Sequence, residues 1–163
     1  MEDAYATHLE FLEIIFKHTG KLNNIFEYGC GYNSTPYLIK NCNKLISIEM
    51  QSEEWFEKIK ILPNSDVRLM VGCQNYDHIT KIDEKFDMVF VDGHGSTRPE
   101  CINEAIKLKI PYIVAHDTEE SSYGWDRVYD RPDYKRFNYK KYQNWTSLWT
   151  TDQSFYDSVK GFI

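Results

Sequence analysis

Asn24-Ile25-Phe26-Glu27-Tyr28-Gly29-Cys30-Gly31-Tyr32-Asn33-Ser34-Thr35-Pro36 is the stretch that decides the fold. Residues 24–30 are a short apolar run that reads as a strand. Gly29 and Gly31 close the run, where a backbone can turn tightly and approach another group closely. Ser34 or Thr35 can then cap a helix, with Pro36 in the first turn, where no amide donor is needed. A strand that runs through glycines into a capped helix opens a β–α unit.

The alternation continues on both sides. Residues 4–18 read as an amphipathic helix with Leu9, Leu12 and Phe16 on one face, and Gly20 can end it. Residues 44–50, 67–71, 86–91 and 112–115 read as strands. Glu53 and Glu54 suit the positive start of a helix whose apolar side carries Trp55, Phe56 and Ile59. Thr97 and Glu100 have capping-box spacing, with Pro99 in the first turn. Residues 121–128 read as a short helix. The strand–helix unit thus recurs about five times, which predicts an α/β fold with a parallel sheet and helices on both faces. Residues 134–142 and 145–151 are aromatic-rich and are separated by Gln143 and Asn144. They predict an antiparallel hairpin closing one sheet edge. Lysines on such an edge strand protect it against pairing with another chain. The organisation expected over 1–163 is one domain: an N-terminal helix (1–20), an α/β nucleotide-binding core (21–130) and the closing hairpin (131–155).

Composition agrees with a globular chain. Of 163 residues, 42% are hydrophobic and 27% charged, an ordinary balance. No apolar run approaches the roughly 18 residues a membrane helix needs. Met1-Glu2-Asp3 puts acids where a signal peptide carries positive charge, so a cytoplasmic protein is expected. The net charge of −6 makes nucleic acid an unfavoured partner. Cys30, Cys42, Cys73 and Cys101 form no C-x-x-C pair and fit no zinc framework. Buried, reduced thiols are expected of them.

In an open parallel sheet, ligands bind beyond the carboxyl ends of the strands, where strand order reverses. The residues at those ends are Glu27 to Asn33, then Glu49, then Gly72-Cys73-Gln74, then Asp92-Gly93-His94, then His116-Asp117. Glu49 lies 20 residues after Gly29, where an acid can accept hydrogen bonds from both hydroxyls of a nucleoside ribose. A dinucleotide site wants a third glycine where Ser34 stands. Glu27 adds a negative charge that disfavours a pyrophosphate and suits a cationic sulfonium. These residues point to S-adenosylmethionine (SAM) rather than NAD.

Glu27-Tyr28-Gly29-Cys30-Gly31 resembles the acid-x-Gly-x-Gly motif of class I SAM-dependent methyltransferases. Ile48-Glu49 resembles their ribose acid, and Val89-Phe90-Val91-Asp92-Gly93 resembles the fourth-strand motif of their small-molecule O-methyltransferase branch. The likeness covers about residues 20–155. It implies a three-layer Rossmann-like methyltransferase fold, with a mostly parallel seven-stranded sheet and a C-terminal antiparallel hairpin. It also implies that Glu27, Gly29 and Gly31 cradle the methionine part, that Glu49 holds the ribose, and that Cys73 and Gln74 lie against the adenine. Tyr28, Asn33, Ser34, Met50 and Asp92 join them as candidate cofactor contacts. Asn33 replaces the family's frequent third glycine, and asparagine tolerates a left-handed backbone.

Methyl transfer needs alignment of nucleophile, methyl and leaving sulfur, plus removal of one acceptor proton. His94, His116 and Asp117 are the catalytic candidates, the imidazoles because they titrate near neutral pH. Asp92 and Asp117 end neighbouring strands, so two hard oxygen ligands could hold Mg²⁺ or Ca²⁺. The resemblance carries such a metal in catechol-type O-methyltransferases, but Thr118 stands where they have asparagine, and their catalytic lysine has no counterpart in residues 93–97. Alternatively, Asp92 contacts the methionine part or caps a turn. Arg98 could pair an acidic acceptor or form an ordinary ion pair. The expected activity is methyl transfer from SAM to an oxygen or nitrogen of a small-molecule or exposed acceptor. The pocket is expected from the first helix, the loops after strands four and five, and residues 123–125, with a second copy of the chain able to close it as a homo-oligomer. A non-catalytic SAM-fold binding or scaffold protein is the alternative, and an NAD-dependent oxidoreductase the third reading.

Overall fold

The computed structural model describes residues 6–60 and 65–162. Five strands run parallel: β1 (Leu22–Tyr28), β2 (Cys42–Glu49), β3 (Ser65–Leu69), β4 (Met88–Val91) and β5 (Tyr112–His116). Two more form the hairpin: β6 (Lys135–Tyr139) and β7 (Thr146–Thr150), with β7 antiparallel to both β5 and β6. All seven make one sheet in the order β3-β2-β1-β4-β5-β7-β6. Strand order reverses between β1 and β4, so the loops after those two strands flank the crevice where such sheets bind ligands. The expected fold class is the observed one.

Alternate residues of each central strand serve opposite faces. Phe26, Tyr28, Ile46, Ile48, Val89 and Val91 pack with Ile102 and Ile106 of α4 (Arg98–Lys107). Ile25, Leu45, Phe90 and Val114 pack on the other face with α1 (Leu9–Thr19) and α5 (Gln153–Val159), through Phe11, Leu12, Ile15 and Phe155. Burial on both faces explains why these strands read as continuous apolar runs. Phe11 also stacks on Tyr139 of β6, with ring centroids 5.0 Å apart. The hairpin therefore anchors the first helix.

Several local expectations are corrected. The N-cap of α2 (Ser34–Lys40) is Asn33, and no side chain caps it, because the hydroxyls of Ser34 and Thr35 turn to Glu27 instead. The capping box at Thr97 does not form either, since Thr97 Oγ1 donates to the His94 carbonyl at 3.1 Å. Residues 121–128 are two 3₁₀ turns, Ser121–Tyr123 and Trp125–Arg127, broken where Gly124 takes φ +77°. A 3₁₀ helix, Cys73–Lys81, links β3 to β4. Cys73 begins it and is exposed, while Cys30, Cys42 and Cys101 are buried, and all four are free thiols. The strand at 86–91 begins only at Met88. Residues 4 and 5 of the predicted first helix, like Met1-Glu2-Asp3, lie outside the described residues. No helix among the described residues is long and apolar enough to cross a membrane.

One contact holds the crevice to its shape. Gly29 has φ +84°, and a Cβ built there would stand 2.5 Å from Gly93 Cα. The loops after β1 and β4 thus touch backbone to backbone. Gly29→Ala is expected to cost about 1–3 kcal/mol from overpacking, plus about 1–2 kcal/mol for the left-handed backbone. Urea denaturation of the two proteins measures it, and equal midpoints would contradict the contact.

Candidate functional site

A cavity of about 700 Å³ opens at the carboxyl ends of β1, β2, β4 and β5, within the range of small-molecule sites. One end is walled by Gly29, Gly31, Ser34, Glu49, Ser52 and Trp55, and the other by His8, Asp92, His116, Asp117 and Asn144.

At the first end, Glu49 closes β2 and is 3% exposed. Its Oε1 accepts the amides of Gln51 at 2.8 Å and Ser52 at 3.0 Å. Its Oε2 takes the Cys30 thiol at 3.3 Å, a weak donor. A hydroxylated ligand therefore meets a fixed carboxylate with acceptor capacity to spare. Ser52 caps α3 (Glu53–Ile59) through the Trp55 amide. The Trp55 indole N–H in turn donates to the Cys30 carbonyl of the glycine loop, and its ring meets Tyr32 edge to face with centroids 4.4 Å apart.

Glu27 stands behind this loop, fully buried, and does not line the cavity. It accepts hydroxyl hydrogen bonds from Ser34 at 2.6 Å, Thr35 at 2.8 Å and Ser47 at 2.5 Å. Thr35 Oγ1 also accepts the Gly31 amide at 2.8 Å. Burial pushes the Glu27 carboxyl up to about 7 despite those three donors, with Asp92's charge adding to the rise.

The second end is built from more distant parts of the chain. Arg98, at the start of α4, is 6% exposed. Its Nη2 lies 3.0 Å from Asp92 Oδ1 and its Nη1 3.2 Å from Asp117 Oδ2. It also donates to the carbonyls of Gly93 at 3.1 Å and His116 at 2.7 Å. Asp117 takes φ +54°, a backbone aspartate tolerates better than most residues. Its Oδ1 accepts the Asn144 amide at 2.7 Å. His116 Nε2 lies 2.8 Å from Thr7 Oγ1, and Nδ1 lies 3.5 Å from Asp92 and from Asp117. Burial opposes charge on His116, but the hydrogen bond and charge of Asp92, with Asp117's charge, outweigh it and raise the pKa. Burial likewise works against an ionised Asp92, and His116 and Arg98 outweigh it to lower the pKa.

Of the residues singled out in the sequence, Gly29, Gly31, Asn33, Ser34, Glu49, Asp92, His116 and Asp117 meet at this cavity. Tyr28, Met50, Cys73, Gln74 and His94 do not line it. Tyr28 is a core residue whose hydroxyl donates to the Tyr76 carbonyl, and Met50 is buried in the same core. Cys73 and Gln74 are exposed at the start of their 3₁₀ helix. His94 Nδ1 lies 2.9 Å from Ser96 Oγ. The Tyr123 ring packs over Arg98 at 5.0 Å instead of walling the cavity. The Mg²⁺ expectation for Asp92 and Asp117 does not fit, because the Arg98 guanidinium bridges the two carboxylates where a shared hard cation would sit. His8, Trp55 and Asn144 were not anticipated as site residues in the sequence. Only the closed tertiary structure brings them to the cavity.

No protein-family model matches the chain, and no curated protein matches it. Solved structures do. An O-methyltransferase from Bacillus cereus in complex with SAH is similar at 17% identity and TM-score 0.65, over 88% of this chain and 80% of that one. TomG, an O-methyltransferase from Streptomyces achromogenes involved in tomaymycin synthesis and solved with SAM, is similar at 19% identity and TM-score 0.62, over 93% and 91%. The N-methyltransferase NodS from Bradyrhizobium japonicum is similar at 14% identity and TM-score 0.57, over 88% and 93%. The chain therefore has the Rossmann-like fold of the class I SAM-dependent methyltransferases.

The raised carboxyl of Glu27 has a signed consequence for stability. A folded pKa of about 7 against the usual 4.5 means the native state holds this proton more tightly than the unfolded chain. Its contribution is fully present below about pH 4.5 and is lost as pH rises through 7. The stability of wild type relative to Glu27→Gln should fall between pH 4.5 and 7, read by thermal melts of both proteins. A pH-independent difference would refute a protonated Glu27.

Proposed function

We propose that the protein transfers a methyl group from SAM to an oxygen or nitrogen of a small-molecule or exposed acceptor. The observation that carries this is the two-ended cavity. A fixed ribose-type carboxylate, Glu49, and a close-packed glycine loop wall one end. Polar side chains able to orient an acceptor wall the other. The solved structures of the same fold with SAM or SAH support the choice of cofactor.

SAM supplies an electrophilic methyl group on a sulfonium. Glu49 Oε2 would accept from the ribose hydroxyls, while its Oε1 stays pinned by the amides of Gln51 and Ser52. The backbone at residues 29–31 would lie against the methionine part, held in place by the close packing of Gly29 on Gly93. Gln51, Ser52 and Trp55 take the nucleoside side that sequence reasoning gave to Cys73 and Gln74. Asp92, in the second end beside His116 and Arg98, would lend a negative charge toward the cationic sulfonium. His116 and Asp117 orient the acceptor and receive its proton, while His94 stands outside the cavity lining beside Ser96. Glu27 acts through Ser34 and Thr35 as a positioning residue for the loop.

The competing reading, a binding module without turnover, shares the first end and differs at the second. The NAD reading is disfavoured by Ser34, which occupies the place of a third loop glycine and binds Glu27 at 2.6 Å.

Isothermal titration of the purified protein with SAM, SAH and NAD separates these readings. SAM and SAH are expected to bind and NAD is not. Glu49→Ala should weaken SAM binding by about 1–3 kcal/mol, the cost of a lost hydrogen bond to a charged group. Unchanged affinity would remove Glu49 from the cofactor site. Methyl turnover in an acceptor screen, with SAM binding present, separates the enzyme from the binding module.

A further inference from the structure

His8, just ahead of α1, Asp92, after β4, and His116, at the end of β5, converge on the inner wall of the cavity. One donor atom from each lies within 4.8 Å of the others. His8 is 2% exposed and His116 4%. Their rings meet edge to face with centroids 4.8 Å apart. His116 Nδ1 and Asp92 Oδ1 are 3.5 Å apart, close to the roughly 3.4 Å between two ligands of a tetrahedral ion with bonds of about 2.0–2.1 Å. The other ring nitrogen of His116, Nε2, is 2.8 Å from Thr7 Oγ1. An outer hydrogen bond of this kind orients a ligating imidazole and fixes the tautomer that turns the opposite nitrogen to the metal.

We propose that His8, Asp92 and His116 form a binding site for one borderline transition-metal ion, such as Zn²⁺ or Co²⁺, that excludes Mg²⁺. Two imidazoles and one carboxylate are a nitrogen-rich set, which suits such metals. Mg²⁺ demands oxygen donors in a near-ideal octahedron. The one further carboxylate at this end, Asp117, is already engaged by Asn144 and Arg98. Arg98 also places a positive charge 3.0 Å from Asp92 Oδ1, which works against any cation held by charge alone. Imidazole nitrogens bind as neutral donors and are less affected by that charge. Three protein ligands leave a fourth position facing the cavity, the arrangement of zinc sites that bind water or substrate. With the ion bound, His116 would be a ligand and could not also receive an acceptor proton. The site itself stands on side-chain geometry and does not depend on the methyl-transfer reading.

The test uses untagged full-length protein, stripped with chelator and dialysed, without SAM. Titration with Zn²⁺ should give one site per chain, and Mg²⁺ should give none. Co²⁺ should give the intense visible absorption of a low-coordinate site with nitrogen ligands. His8→Ala should weaken Zn²⁺ binding by more than 10-fold, Thr7→Ala should weaken it about 10–100-fold as an outer-shell loss, and His94→Ala should leave it unchanged. Absence of Zn²⁺ binding by folded wild type, Mg²⁺ binding as tight as Zn²⁺, or a Zn²⁺ affinity indifferent to His8→Ala would each overturn the proposal. Should His8→Ala fail to fold, the wild-type Co²⁺ spectrum decides alone, since the weak absorption of an octahedral oxygen site would also overturn it.

Discussion

The buried carboxyl of Glu27 is the interaction on which the site depends. It sits on β1, takes the Ser47 hydroxyl from β2, and takes the Ser34 and Thr35 hydroxyls from the first turn of α2. Three elements are thereby tied to one point beneath the glycine loop. Thr35 extends the tie to the loop itself through the Gly31 amide. A lone buried charge would be costly. Here burial holds the proton on the carboxyl up to about pH 7, so the tie can form without a full charge. The same network explains why neither Ser34 nor Thr35 caps α2.

The two ends of the cavity are governed by different physics. The end near Glu49 is local: Cys30, Gln51 and Ser52 all satisfy one carboxylate, and Trp55 closes over the loop. Its walls come from neighbouring parts of the chain, β1 through α3. The far end is a compensated ionic cluster, with Arg98 between Asp92 and Asp117 and His116 beside both. Removing one member of such a cluster leaves the others buried and unpaired, which costs more than the net worth of the pair. Arg98 therefore holds the loops after β4 and β5 in fixed relation.

The sheet and the Glu49 end of the cavity are largely legible in the sequence. Central strands such as residues 44–50 and 112–115 are apolar throughout, because both of their faces are covered. Gly29 and Glu49 announce themselves by type and spacing. The far end was legible only in part. Asp92, His116 and Asp117 follow strands, so topology alone points to them. His8 lies 108 positions from His116 and belongs to a segment whose visible pattern is helix packing, and Asn144 reads as an ordinary turn residue. Arg98 reads as a surface cation at a helix start, and only the position of Asp117 makes it a buried bridge. Cys73 and Gln74 stand outside the cavity lining because residues 73–81 wind into a 3₁₀ helix that begins with both exposed, while Trp55 of α3 lines the cavity.

The hairpin's grip on α1 sets an order of assembly. Phe11 packs against Phe137 and Tyr139, and Thr7 and His8 meet His116 across more than a hundred residues. Pairings that long close slowly, because the loop entropy is lost before the contacts form. The wall of the cavity that carries His8 therefore exists only once β5 and the hairpin are in place. The end around Glu49 draws its walls from β1, α2, β2 and α3, and none from β6 or β7. The two ends of the cavity therefore differ in how far apart in the chain their walls lie, and a change in the hairpin reaches the far end first.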